Sequence, residues 1–62
     1  MIHVMARNGG ALAIIGTTMI ASVFNRDNTV KCIADLVIWL EKNGWSDFGI
    51  VVKTSKGDMQ VA

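Results

Sequence analysis

Fourteen consecutive residues, Ala11 to Phe24 (ALAIIGTTMIASVF), carry no charge, and a chain this short must fold around them. As a helix the run would measure about 21 Å. That is short of the roughly 30 Å apolar layer of a bilayer, which takes about 20 apolar residues to cross. Arg7 and Asn8 bound it on one side, and Arg26, Asp27 and Asn28 on the other. A secretory signal would use Arg7 as its basic lead, Leu12–Ile20 as its apolar region and Ala21-Ser22 as its cut. It meets Met19 or Ile20 at the upstream position where a small residue belongs.

Side-chain chemistry favours strand for the run. Ile14, Ile15, Thr17, Thr18, Ile20 and Val23 are β-branched, and Gly16 stands mid-segment, where a helix would lose about 1 kcal/mol relative to Ala. Upstream, IHVMAR is followed by Asn8-Gly9, the dipeptide that suits a type I′ hairpin turn because both central residues need positive φ. Ile2–Arg7 is therefore expected to pair with Gly10–Ile15. Gly16-Thr17 permits a bend or bulge, after which Thr18–Phe24 either continues the same strand or forms a third. Apolar residues fall on both faces of this sheet. Such a pattern implies cover on both sides, or a second molecule on one of them.

Asn25–Thr29 (NRDNT) is polar and rich in cap formers, so a helix is expected to start at Asn28 or Thr29. It continues through VKCIADLVIWLEKN, with Val30, Ile33, Leu36, Val37 and Leu40 as its core stripe. Asn43-Gly44 ends it, with Gly44 left-handed and Trp45 supplying the apolar contact. Cys32, Ile38 and Trp39 lie off the stripe and flank a narrow polar line of Lys31, Asp35 and Lys42. Gly49–Thr54 reads as a strand and Met59–Ala62 as its short return, joined by Ser55–Asp58 with Gly57 left-handed in a bulged turn. The expected fold is a single small α+β domain of order β-β-(β)-α-β-β: a mainly antiparallel sheet with one helix on a face.

Size limits what such a domain can be. At 62 residues it buries only about 60% of the surface of its unfolded chain, and small domains offset this with disulfides, metals or association. Cys32 is the sole cysteine, which excludes an internal disulfide and suits a reducing compartment such as the cytoplasm. One His, one Cys and five scattered carboxylates show no metal-ligand spacing. Apolar residues make up 52% of the chain, more than one small core can hide.

No motif names a reaction. Asp47-Phe48-Gly49 matches the kinase magnesium triplet in letters only, because the glycine-rich loop and catalytic loop are missing. Ser55–Asp58 is a turn and not a phosphate loop, and Asn8–Gly10 lacks the strand-to-helix setting of a dinucleotide site. Cys32 sits where a helix start favours a thiolate, but His3 is the sole base available and nothing orients it. Neither a catalytic residue nor a cofactor is expected.

The leading expectation is a non-enzymatic interaction module that self-associates as a homodimer or higher oligomer, or serves as adaptor or inhibitor of a larger protein. Its surface would be the patch Cys32, Ile38, Trp39 and Trp45, since Trp is enriched at interface hot spots, or an open sheet edge where a strand can add. Size alone adds a prior toward phage and mobile-element proteins that bind host factors. Two alternatives belong to other classes. One is a small membrane-associated protein using Leu12–Phe24. The other is a weak nucleic-acid binder using Arg7, Arg26, Lys53 and Lys56, against which the net charge of +1 argues.

Overall fold

Two tight turns build the first half of the sheet. Asn8 (φ +32°) and Gly9 (φ +84°) both take positive φ, as a type I′ turn requires, and join β1 (Ile2–Arg7) to β2 (Gly10–Ile15). Gly16 (φ +62°) followed by Thr17 in ordinary negative φ is the type II′ pattern, and it starts β3 (Thr18–Phe24) as a separate third strand. Helix α1 (Thr29–Lys42) follows, then a 3-10 turn at Trp45–Phe48, β4 (Ile50–Thr54) and β5 (Gly57–Gln60). This computed structural model describes residues 1–62.

The five strands form one mixed sheet in the order β3-β2-β1-β4-β5, antiparallel throughout except for β1 against β4. The exception follows from the connection. A parallel neighbour needs a crossover of a dozen or more residues, and α1 supplies fourteen. At about 1.5 Å per residue the helix spans about 21 Å, close to the length of a six-residue strand, so the chain returns to the end where β1 began.

Local chemistry sets both ends of α1. Asn28 caps it, its Oδ1 accepting from the Lys31 N–H at 2.9 Å. At the other end Gly44 is left-handed (φ +83°), and its N–H donates to the Glu41 carbonyl at 3.3 Å. The Trp39 carbonyl accepts both the Asn43 N–H at 3.1 Å and Asn43 Nδ2 at 2.8 Å.

The core lies between α1 and one face of the sheet. Ile2 and Val4 of β1, Ala11 and Ala13 of β2, and Ile50 and Val52 of β4 meet Cys32, Leu36 and Leu40. Ile33, Val37 and Trp45 complete it from the side. Two expectations are corrected here. Val30, placed in the core stripe, is 78% exposed. Cys32, placed on the interaction patch, is 1% exposed in the core, its thiol donating to the Asn25 carbonyl at 3.6 Å. At 100° per residue the line Cys32–Leu36–Leu40 is rotated by about 80° from the line centred on Ile33 and Val37. The small Cys32 fits where the first helical turn comes down on Asn25, and Val30 swings out. Strand β5 also begins at Gly57 rather than Met59. Gly57 (φ +120°) follows the two-residue turn Ser55-Lys56 and pairs with Thr54.

Candidate interaction face

Strand alternation sends every second side chain away from α1. Because cross-strand partners share a face, the registers define rows on that second face. Met19, Ile14, His3, Val51 and Gln60 form one row across all five strands. Ser22, Leu12 and Met5 form the next, and Phe24, Gly10 and Arg7 the third. Neither α1 nor the 3-10 turn packs on these residues; α1 lies over the opposite face of β1, β2 and β3. The sheet is a two-layer structure with one apolar face left open.

The open face is apolar in its middle and charged only at its rim. Leu12 and Val51 are buried by their cross-strand neighbours, without a second layer above them. Towards the β3 edge the side chains stand proud, with Met19 59% and Phe24 78% exposed. Beside them lies a shallow depression of about 240 Å³ lined by Arg7, Asn8, Leu12, Met19, Ser22 and Phe24. At the centre of the first row His3 Nδ1 is buried without a hydrogen-bond partner, a condition few buried polar atoms show in folded proteins. The opposite rim carries the Lys53–Asp58 ion pair at 3.5 Å.

A β-bulge shapes the exposed edge. Ala13 pairs with Ala21 and Ile14 with Met19, so Ile20 is an extra residue on β3. The bulge turns Ile20 toward the core, where it packs, and keeps Met19 on the open face. Strand β3 is also the charge-free edge of the sheet, the kind of edge that invites strand addition, though a bulge blunts it. On its helix side a groove of about 450 Å³ runs between β3 and Asp35, Leu36 and Trp39.

The structure takes the sequence-level patch apart. Cys32 is in the core, and Trp45 packs against the core with its ring 5.4 Å from that of Phe48. Ile38 and Trp39 remain exposed, but they stand about 100° apart on the helix, Trp39 over the β3 groove and Ile38 opposite the core stripe. The open face escaped sequence reasoning in its particulars. Its signal was the apolarity of both faces of residues 2–24, and only the packing side of α1 tells which face stays bare.

The basic residues weighed for nucleic acid do come together. The β1–β2 turn, the end of β3, the start of α1 and the β4–β5 turn share one end of the sheet. Arg7, Arg26, Lys31, Lys53 and Lys56 lie there with Asp27 and Asp58, which leaves that end at +3. The remainder, Lys42 against Asp35, Glu41 and Asp47, carries −2. A net charge of +1 thus hides a pronounced polarity. No three His, Cys, Asp or Glu side chains converge to hold a metal, and no helix is long and apolar enough to cross a membrane. The residues of the membrane alternative, Leu12–Phe24, form most of β2 and all of β3. No family model, curated protein or solved structure matches this chain.

Proposed function

We propose that the chain is a non-enzymatic protein-interaction module whose binding surface is the open face of its sheet. The observation that carries this reading is the apolar block of Met5, Leu12, Ile14, Met19, Val51 and Phe24 on a face that no element of the chain covers. Large uncovered apolar patches on small proteins mark binding sites or aggregation liabilities. The charged rim of Arg7, Lys53 and Asp58 around an apolar centre matches interface anatomy. The occupant is a second copy or a larger protein that the module caps as adaptor or inhibitor. A free, buried Cys32 suits the cytoplasm we propose for it.

Photo-crosslinking tests the reading. A photoreactive phenylalanine analogue at Phe24 should give polypeptide adducts in the native setting, whereas the same analogue at Trp39 should give few. Adducts from Trp39 alone would move the binding surface to the helix and contradict the proposal.

One observation favours a second reading. The +3 end lies beside the exposed ring of Phe24, and single-stranded nucleic acid is bound by basic grooves with aromatic platforms. Salt-sensitive retention on single-stranded DNA, lost in Arg7→Glu, would support it. Flow-through at low salt would remove it.

A further inference from the structure

Resting on the reading of the open face as a binding surface, we infer that its occupant is a second copy of the chain. The two copies stack face to face about a two-fold axis perpendicular to the strands, so that the strands run antiparallel between the layers. Two properties of the face select this arrangement.

The first is area. Five strands about 4.8 Å apart and about 19 Å long present a face of about 450 Å² on each copy, roughly 900 Å² for the pair in projection. Side-chain relief raises the accessible area above its projection, and specific interfaces begin near 1,000 Å² in total. The pair therefore comes to the lower limit for a specific but weak dimer, provided that the whole face is used. Stacked sheets lie about 10 Å apart with their side chains interleaved, a distance that the projecting Met19 and Phe24 are long enough to bridge.

The second is charge. A two-fold axis between stacked faces lies in the interface plane. An axis along the strands would set the two +3 ends together. An axis across the strands separates the two +3 ends and sets each over the opposite end of the face of its copy, the row Met19, Ile14, His3, Val51 and Gln60, which holds no Lys or Arg. The polarity of the chain thus favours the antiparallel stack and disfavours the parallel one. Around His3 the middle of the face, Ile14, Leu12, Met5 and Val51, is apolar in both copies, and the charged side chains Arg7, Lys53 and Asp58 stand at its rim.

The experiment is sedimentation equilibrium on the wild type and five variants over a dilution series, with circular dichroism to check folding. The wild type should sediment at twice 6.7 kDa. Met19→Glu and Phe24→Ser alter exposed side chains, so both should keep the native spectrum while the dissociation constant rises by at least about 30-fold, the effect of losing an interface anchor. Ile38→Asp should remain dimeric. Arg7→Glu with Lys56→Glu should weaken the antiparallel dimer, and adding Asp47→Lys should recover only part of the loss; tightening on the first change would show parallel stacking and overturn the arrangement. A monomeric wild type overturns the second copy but leaves the face free for another protein. A dimer that survives Met19→Glu and dissociates with Ile38→Asp overturns both the inference and the proposed function.

Discussion

Leu36→Ala and Val30→Ala are alike in kind, one aliphatic side chain on α1 cut back to a methyl, yet the fold gives them very different costs. Leu36 is 1% exposed at the centre of the helix–sheet contact, whereas Val30 is 78% exposed. Three carbons removed at about 0.8 kcal/mol each lose about 2.4 kcal/mol of transfer free energy. A residual cavity brings the total to about 3 kcal/mol, within the usual range of about 2–5 kcal/mol for buried Leu→Ala. A domain of 62 residues holds roughly 3–9 kcal/mol in all, so Leu36→Ala should bring it close to unfolding. In thermal denaturation at one fixed concentration, since self-association would make the midpoint concentration-dependent, the midpoint should fall by about 12–24 °C. Val30→Ala removes exposed atoms and should stay within about 0.5 kcal/mol, hence within about 4 °C. Equal effects, or a larger loss at Val30, would mean that α1 is rotated toward the sequence stripe and that this core is wrong.

Three further outcomes follow from the same packing. Asn28→Ala removes the acceptor for the Lys31 N–H and should cost about 1 kcal/mol by thermal melt, with Asn28→Asp close to wild type; an unchanged Asn28→Ala would mean that the cap is not made. Gly10→Ala should be severe, because a Cβ there would collide with the Val23 carbonyl oxygen. Overpacking of this kind costs about 1–3 kcal/mol, and a protein as stable as wild type would show that β2 and β3 lie farther apart. Cys32, buried in the core, should react with an aromatic disulfide reagent only as fast as the domain opens; prompt reaction in native buffer would place the thiol at the surface.

Much of the fold is legible in the chain because short-range chemistry decides it. Asn8-Gly9 can take the positive φ values of a type I′ turn, so the bounds of β1 and β2 follow from it, whereas Gly16-Thr17 reads equally as a bend or bulge and leaves open whether β3 is a separate strand. Asn28 and Asn43-Gly44 bracket the helix for equally local reasons. What is not legible is set by long-range packing. Nothing between Phe24 and Ile50 states that β4 lies beside β1 rather than beside β3. The rotation of α1 depends on how its first turn meets Asn25, so Val30 and Cys32 exchange places relative to a reading by periodicity. The open face suffers from the same limit. Residues 2–24 show that both sides of the sheet are apolar, but α1 decides which side it takes. Likewise, Arg7, Arg26, Lys31, Lys53 and Lys56 look scattered until a mixed sheet brings their turns to one end.

The central claim, that the open face is the covered face of the working protein, is best tested by two methionines. Met19 and Met59 are nearly equally exposed, 59% and 55%, but Met19 stands on the open face, while Met59 pairs with Val52 on the helix side of the sheet, beyond the reach of α1. Their rates of oxidation by peroxide, read by mass spectrometry at high protein concentration and again after extensive dilution, form an internal ratio. Met19 should oxidise several-fold more slowly than Met59 in the concentrated sample, and the two should converge on dilution. Equal rates at both concentrations would show that nothing of the chain's own kind covers the face, and protection of Met59 instead would place the contact on the wrong side of the sheet.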